Sequence, residues 1–274
     1  MCIRDRYKGW EANVALLYTH VQDHTVAQAD AMQKLTPMFL LSYKKDEWIF
    51  RAFHKRIFRA PTLNDLYYTL VGNTKLNPEY TSQWDAGIDY KGKRFHFAVD
   101  GYYNHIDDKI VAIPMKCQFR WSMVNFGKVK SYGASFSGGY NQDWGKFSLA
   151  ANANYTYQID KDYTMPSDPE YKNYIPYSPM HSGSVILDLG YDSYSLCTSF
   201  LYTGERFALV SNNADDLLGD WYTIDLKLNK RFKIGKYVLQ TTLECNNLTD
   251  SRHEVVKRYP MPGRNWKCTV KFEL

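Results

Sequence analysis

Long segments in which apolar and polar residues alternate constrain the fold of this 274-residue chain more than any other feature. In residues 146–158 an apolar or small side chain occupies every second position, and residues 266–274 repeat the pattern. A period of two is the period of a β-strand, and it places the two classes of side chain on opposite faces. A helix cannot keep this pattern on one face. The chain is therefore predicted to be all-β.

The alternation predicts about twelve strands, and several exceed the roughly 5 to 6 residues of an ordinary strand. They reach the ~9 to 11 residues with which a tilted strand crosses a bilayer. Short turns alternate with long loops, as in an antiparallel up-and-down transmembrane β-barrel, whose short turns lie at the periplasmic rim. The predicted strands are 9–20, 36–44, 47–58, 81–90, 95–112, 129–141, 146–158, 181–190, 194–207, 221–232, 236–247 and 264–274.

Composition agrees with a membrane barrel and argues against a transmembrane helix. Aromatic residues make up 16% of the chain, yet the mean hydropathy is −0.49 and no apolar run approaches the ~18 residues that a spanning helix needs. Aromatic side chains with polar tips suit the interfacial girdles of barrels. The opposite strand face is too polar for the core of a sandwich and suits a wet or plugged lumen. Its polar residues include Asn152, Asn154, Asp225, Lys227, Asn229, Gln240, Glu244 and Asn246. A soluble β protein with solvated faces is the alternative.

Charge and sequence motifs exclude several functional classes. The net charge of +5 is spread along the chain, so no nucleic-acid partner is predicted. The sequence contains no catalytic motif, so no enzyme and no cofactor are predicted. The five cysteines lack metal-ligand spacing, and no metal site is predicted. Cys245 and Cys268 are predicted to lie near register on the lipid face of adjacent strands without forming a disulfide.

The long loops carry aromatic residues interspersed with cations, which can hold a planar or anionic chelate by stacking and charge. The alternative for many of them is a place in the aromatic girdle at the lipid headgroups. Asn212, Asn213, Asp215 and Asp216 do not have the spacing of a calcium loop, and we interpret them as an ordinary solvated loop. The candidate ligand-binding residues are Tyr67, Tyr68, Phe119, Arg120, Trp121, Tyr163, Tyr171, Tyr174, His253, Arg258 and Tyr259, with Tyr177 in the same loop as Tyr174.

Two segments carry ordered motifs in addition to the alternation. Pro61 ends strand pairing, because it has no N–H and pushes Ala60 into an extended conformation. Turn-forming residues follow before the next strand. We interpret the first segment as a loop that folds the barrel rim more than as a direct ligand contact. The motif residues are Phe58, Arg59, Ala60, Pro61, Thr62, Leu66, Tyr67, Gly72, Asn73, Leu76, Pro78 and Glu79 in the first segment, and Asn247, Leu248, Asp250, Pro262, Gly263 and Arg264 in the second.

With these motifs the chain resembles TonB-dependent outer-membrane receptors over residues 9–274. The resemblance implies a 22-stranded barrel with an N-terminal plug. Residues 7–274 would then be its C-terminal part, about twelve strands without the plug, and residues 1–6 a leader that is not native. The chain departs from the family pattern because it ends on Leu274 instead of an aromatic residue, although the aromatic Phe272 lies two positions earlier.

The resemblance also implies a function in the bacterial outer membrane, namely energised uptake of a metal chelate or vitamin. A ferric siderophore or cobalamin is favoured, because residues 62–72 lack the histidine that haem receptors carry there. The implied partners are the TonB–ExbB–ExbD system, acting through the missing plug, outer-membrane lipid and lipopolysaccharide, and the barrel-assembly machinery. A passive porin-like or adhesin-like barrel is the alternative, and a soluble carbohydrate-binding β protein is a weaker one.

Overall fold

The computed structural model describes residues 2–22, 32–114 and 120–273, which form one antiparallel sheet of 13 strands. Each strand of this sheet pairs with the next along the chain, apart from two small hairpins inserted in loops. The strands are β1 (Cys2–Tyr7), β2 (Trp10–Val21), β3 (Met32–Lys45), β4 (Trp48–Arg59), β5 (Glu79–Lys91), β6 (Phe95–Pro114), β7 (Trp121–Trp144), β8 (Phe147–Asp162), β9 (His181–Tyr191), β10 (Tyr194–Thr203), β13 (Trp221–Ile234), β14 (Tyr237–Asn246) and β17 (Asn265–Glu273).

The inserted elements lie in the long loops, at what we call the outer rim. A five-residue helix, α1 (Leu63–Tyr67), follows β4. One hairpin, β11 (Arg206–Phe207) with β12 (Leu217–Leu218), lies between β10 and β13 and contains a short 3-10 turn. The other, β15 (Glu254–Val256) with β16 (Tyr259–Pro260), lies between β14 and β17. The loops therefore have secondary structure of their own.

The all-β antiparallel architecture predicted from the sequence is confirmed, with differences in detail. The sheet gains β1, which pairs with β2 from Cys2 to Tyr7. That residues 1–6 are not native stays a prediction. The strand predicted over 194–207 ends at Thr203; Gly204 still donates to the carbonyl of His181 at 2.8 Å, and Arg206 and Phe207 pair instead with Leu218 and Leu217 in a separate hairpin.

Strand β7 is much longer than the predicted 129–141, at 24 residues, whereas β6, at 20 residues, extends the predicted 95–112 only to Pro114. Their pairing continues from Lys109–Phe126 to Pro114–Trp121, where the sequence had indicated a loop over 113–128. The extension is stabilised by a small apolar core at the outer rim, formed by Ile106, Phe126, Val129 and Ile175. Since Ile175 comes from the loop after β8, this core fixes neighbouring loops to the extended strands.

The opposite rim has turns of two or three residues. Most of these turns begin with a residue in the left-handed backbone conformation, which lets the chain reverse direction within a short connection. Glycine meets this requirement at little steric cost, and aspartate tolerates it better than most residues. The residues with positive φ at the start of these turns are Lys8, Asp46, Gly145, Asp192 and Gly235.

The register places apolar and polar residues on opposite faces of the sheet, as the alternation predicted. One row pairs Phe50 with Ile88, Ile88 with Val99 and Val99 with Phe136. On the other face, Glu244 pairs with both Lys227 and Lys267, and its carboxylate lies 3.5 and 3.4 Å from their ammonium groups. One face is therefore suited to lipid and the other to a wet lumen.

Near the short turns the apolar face carries a belt of paired aromatic rings. Such belts form where one end of a ring meets hydrocarbon and the other meets water. Among the described residues, the ring centroids are 4.7 Å apart in Trp10–Tyr43, 5.0 Å in Trp48–Tyr90, 4.5 Å in Phe95–Tyr140 and 5.3 Å in Tyr237–Phe272.

This arrangement predicts how tryptophan fluorescence responds to lipid. Register assigns most tryptophans to the apolar face, whereas Trp121 and Trp221 lie in the outer-rim cavities described below. Brominated phospholipid should therefore quench most of the emission of the protein in vesicles, and replacing both Trp121 and Trp221 by Phe should leave the quenched part unchanged. Quenching mainly by aqueous acrylamide would contradict the assignment. The apolar-face tryptophans are Trp10, Trp48, Trp84, Trp144 and Trp266.

The two cysteines of the last strands share a face but not a pairing position. Cys245 pairs with Trp266 and Cys268 pairs with Leu243, so the cysteines are diagonal neighbours. Both are free thiols, Cys245 buried and Cys268 exposed.

In the described part of the chain, no helix has the length and apolar character needed to cross a membrane.

Candidate functional site

The first motif folds the loop after β4 through its own side chains. Thr62 caps α1: its hydroxyl accepts from the Asp65 amide at 3.2 Å, and the Asp65 carboxylate accepts from the Thr62 amide at 2.9 Å. The Arg59 guanidinium lies 3.2 Å from Asp65 and 3.5 Å from Glu79. Glu79 also accepts the amide of Ile110 at 3.0 Å. These residues therefore connect the end of β4, the helix and the β6 extension.

The second half of this motif attaches the loop to β7. The Asn73 side chain donates to the carbonyl of Met123 at 3.0 Å, and its amide donates to the carbonyl of Asp65 at 2.8 Å. A Cβ on Gly72 would lie 2.7 Å from the carbonyl oxygen of Leu66, so a larger residue does not fit. These contacts support the interpretation of the motif as a rim-folding loop.

The capping arrangement predicts a local effect of replacing Asp65, which is 9% exposed. Asp65→Ala removes the carboxylate that accepts the Thr62 amide and pairs with Arg59, while the bond from the residue-65 amide to the Thr62 hydroxyl stays; the expected loss is about 1 kcal/mol. Chymotrypsin should therefore cleave after Tyr67 or Tyr68 about fivefold faster, because the loop opens more often. Asn64→Ala, on the exposed side of the same helix, should cleave at the original rate. Equal rates for the Asp65 variant and the unmodified protein would refute the assigned role.

The C-terminal motif folds its loop in a similar way. Asn247, 5% exposed, accepts the amide of Ser251 at 2.9 Å and donates to the carbonyls of Ser251 and Pro262 at 2.9 and 3.3 Å. Asp250 accepts the amide of Arg264 at 2.8 Å, and a Cβ on Gly263 would lie 2.7 Å from that carboxylate, so a larger residue there would displace the Asp250 side chain. The two halves of the motif therefore close the loop that carries the β15–β16 hairpin.

Beside this hairpin lies a cavity of about 90 Å³, called here the aromatic cavity. Trp121 and Tyr177 contribute to its wall, with ring centroids 5.5 Å apart, and Arg258 and Tyr259 of the hairpin also line it. Burial raises the pKa of Tyr177, so its phenol is neutral at physiological pH. Lys257 is held by Asp216 at 2.9 Å. The cavity has room for a ring or a small group of atoms.

On the other side of the hairpin is a larger cavity of about 700 Å³, called here the polar cavity. His253 stacks on Trp221 in its wall, with ring centroids 4.1 Å apart and planes at 20°. The His253 Nδ1 lies 3.2 Å from the carbonyl oxygen of Ser251, which can only accept, so Nδ1 carries the proton. The buried Trp221 Nε1 has no hydrogen-bond partner among the described residues. Asp220, Arg252 and Glu254 complete a lining of mixed charge.

Arg206 fixes the position of the hairpin between the two cavities. It is 4% exposed and donates to the carbonyls of Gly219 at 3.3 Å, Glu254 at 2.5 Å and Val255 at 3.3 Å. Burial lowers its pKa, but the guanidinium still stays charged at physiological pH. The guanidinium thereby joins the loop after β10 to the loop after β14.

The structure brings only some of the predicted ligand residues together. Trp121, Arg258 and Tyr259 line the aromatic cavity, and His253 lines the polar cavity. Tyr163 and Tyr171 instead pack edge to face at 5.6 Å.

Among the described residues, the other predicted ligand residues do not line either cavity. Lys161 lies over the ring of Tyr174 at 4.5 Å. Tyr67 and Tyr68 are exposed at the end of α1, and Arg120 is exposed before β7. Phe119 lies outside the described residues.

The sequence did not indicate Trp221 or Arg206 as site residues. Both lie in segments predicted to be strand, where an aromatic or a polar residue is ordinary. The hairpin over 254–260 was also not predicted, although positive φ at Arg258 marks its tip. Alternation shorter than four residues carries too little signal to identify such a hairpin.

Comparison with known proteins decides the family. A family model described as "TonB dependent receptor-like, beta-barrel" matches residues 5–248. The chain belongs to this family. The resemblance inferred from the motifs is confirmed, and TonB-dependent receptors are outer-membrane receptors and transporters, a class distinct from enzymes.

Similar proteins agree with this family. A relative from Vibrio vulnificus (strain YJ016), "Vitamin B12 transporter BtuB", is 23% identical over 220 residues, which are 78% of this chain and 33% of that protein. Among solved structures, the copper transporter OprC aligns with a TM-score of 0.73 at 14% identity, covering 96% of this chain and 45% of that one. The unliganded ferric citrate transporter FecA aligns with a TM-score of 0.72 at 14% identity, covering 95% and 42%.

The chain therefore spans a third of the length of that sequence relative and less than half of each of these structures. At these identities the structural matches support the fold alone. Within the described residues, no group of three or more His, Cys, Asp or Glu side chains is arranged to hold a metal ion.

Proposed function

We propose that the full-length protein imports a metal chelate or a vitamin across the outer membrane in a TonB-coupled step. A ferric siderophore or cobalamin is the favoured ligand. The observation that carries this proposal is the pair of cavities at the outer rim of a member of the TonB-dependent receptor family. The names of its relatives, a vitamin B12 transporter and a ferric citrate transporter, support the same ligand classes.

The proposed roles follow from the size and lining of the cavities. A volume of about 700 Å³ lies within the ~300 to 1,000 Å³ of small-molecule sites, so the polar cavity can take a substantial part of a chelate. The aromatic cavity, at about 90 Å³, takes one ring or ligand edge between Trp121 and the Arg258 side. Stacking on Trp121 and Tyr177 and the charge of Arg258 favour a flat, electron-rich ligand edge.

Equilibrium binding to the purified full-length protein tests this proposal. Cyanocobalamin and ferric complexes of catecholate, hydroxamate and citrate type are titrated separately. We expect saturable binding of one class, with a Kd at least about tenfold weaker in Trp121→Ala, because base-like stacking on an aromatic wall contributes about 1 to 3 kcal/mol.

The matched control is Met165→Ala, which truncates an exposed apolar side chain in another outer-rim loop. Its Kd should equal that of the unmodified protein. The proposed site is wrong if Trp121→Ala binds as tightly as the unmodified protein. Absence of saturable binding for every ligand class would favour the passive porin-like alternative.

A further inference from the structure

The ring of His253 in the polar cavity is held in one orientation with one nitrogen free. Its face stacks on Trp221, with ring centroids 4.1 Å apart, and its Nδ1–H donates to the carbonyl oxygen of Ser251 at 3.2 Å. In the part of the chain that the structure describes, Nε2 has no hydrogen-bond partner and, unlike the Trp221 Nε1, it is not buried. Nε2 therefore carries an electron pair that a ligand in the cavity can reach.

This arrangement is the one in which histidine binds transition metals. A histidine that coordinates a metal through one ring nitrogen almost always donates from the other nitrogen to a carbonyl or carboxylate. That hydrogen bond fixes the tautomer and makes the coordinating nitrogen a better ligand. Because the stacking on Trp221 already orients the ring, little side-chain freedom is lost on coordination. His253 is thus preorganised to coordinate through Nε2.

The metal would have to arrive with most of its ligands. Among the described residues, no group of three or more His, Cys, Asp or Glu side chains is arranged to hold a bare ion. The polar cavity, at about 700 Å³, instead has room for much of a metal complex with its chelator. A complex that keeps one exchangeable water on the metal needs only one ligand from the protein.

The charge of the polar cavity restricts which complex enters it. Three carboxylates and one exposed guanidinium line it. Two of the carboxylates accept backbone amides at 2.8 and 2.7 Å, and such neutral donors leave the carboxylate charge in place. An excess of negative charge in a cleft attracts cations and repels anions. The charged residues are Asp220, Asp250, Glu254 and Arg252.

We propose that His253 Nε2 coordinates the metal of the imported complex, and that this complex is neutral or cationic and has one exchangeable coordination position. Nε2 donates its electron pair to the metal as the bound water leaves, so the oxidation state does not change and no proton moves. The inference rests on the proposed uptake for the statement that the complex is cargo. It narrows the ligand class, because an anionic ferric complex whose chelator fills every coordination position does not meet either requirement.

Labelling of the full-length protein with ruthenium complexes tests the proposal. Pentaammineaquaruthenium(II) is a cation with one exchangeable water, the aqua complex of ruthenium(III) with EDTA is an anion with one, and hexaammineruthenium(III) is a cation with none. Peptide mass spectrometry locates ruthenium on individual histidines. The reference is His20, an exposed histidine near the outer end of β2.

The exchangeable cation should label His253 at least about tenfold faster than His20, because a charged cleft raises association rates by about 10- to 1,000-fold. The anion should label His253 no faster than His20, and the hexaammine complex should label neither. His253→Phe keeps a ring that can stack on Trp221 but has no nitrogen, so it should abolish the label at position 253 and leave that on His20 unchanged.

Charge variants test the contribution of the lining. Asp220→Asn/Glu254→Gln should reduce the preference of His253 for the cation over the anion. Asp46→Asn/Asp192→Asn removes the same charge from two turns of the opposite rim and should leave the preference unchanged. Asparagine tolerates the left-handed conformation of those turns.

Two results would overturn the proposal: equal labelling of His253 and His20 by the exchangeable cation, or the same ratio of the two labels with the cation and with the anion. Labelling requires neither TonB nor transport. Loss of uptake with selective labelling intact would therefore contradict the proposed function alone, whereas normal uptake without selective labelling would contradict this inference alone.

Discussion

Replacing Arg206 by Met should release the β15–β16 hairpin from the loop after β10. The methionine fills much of the same space but cannot donate to the carbonyls of Gly219, Glu254 and Val255. Hydrogen bonds from a charged donor each contribute about 1.5 to 3 kcal/mol, and their loss leaves buried acceptors unpaired. We expect the local free energy of opening to fall by about 3 kcal/mol.

Amide hydrogen exchange measures this opening. In Arg206→Met the amides of residues 254–259 should exchange about 100-fold faster, since about 1.4 kcal/mol corresponds to tenfold. Arg252→Met changes an exposed arginine of the same hairpin loop and should leave exchange unchanged. Arg206→Lys keeps the charge but loses the forked arrangement of donors, so its exchange rate should lie between those of the unmodified protein and Arg206→Met. Exchange in Arg206→Met equal to that of the unmodified protein would show that another contact holds the hairpin.

Asn247→Ala should have an effect of similar size on the C-terminal loop. It removes hydrogen bonds to Ser251 and Pro262. It also places alanine at φ 52, a left-handed conformation that costs about 1 to 2 kcal/mol for a residue with a Cβ. The expected total is about 3 kcal/mol. Trypsin should then cleave after Arg252 or Arg258 about 100-fold faster, because the loop opens before cleavage.

A glycine at the same position separates the two causes. Asn247→Gly loses the side-chain hydrogen bonds but keeps the left-handed backbone without strain, so its cleavage rate should rise less than that of Asn247→Ala. Asn246→Ala removes an exposed contact with Asn265 at 3.0 Å and should change the rate little. If alanine and glycine at position 247 give equal rates, backbone strain does not contribute.

The sheet was largely predictable from sequence because each transmembrane strand must expose one face to lipid and one to a lumen. Because of this requirement, apolar and polar residues alternate along segments such as Phe147–Asp162. The motif loops were predictable for another reason. Thr62, Asp65 and Asn247 act through local hydrogen bonds that depend on residue type and spacing.

The cavities were less predictable because distant loops form them. Trp121 meets Tyr177 only because β6 and β7 extend beyond the rim, and Arg258 reaches them only because Arg206 holds the hairpin. Pairing of the β6 and β7 extensions depends on the apolar core around Val129, which includes a residue from another loop. The pattern of residues within a single segment carries no information about such contacts between distant loops.

We propose that this chain forms part of the wall and the ligand-capturing rim of a TonB-dependent importer. The most direct test of this proposal is uptake of radiolabelled cobalamin or ⁵⁵Fe-siderophore by cells that produce the full-length protein, with and without TonB. We predict accumulation that requires TonB and falls at least about tenfold in Trp121→Ala, in line with the loss of stacking. Uptake that is equal with and without TonB, or absent for every ligand class, would contradict the account.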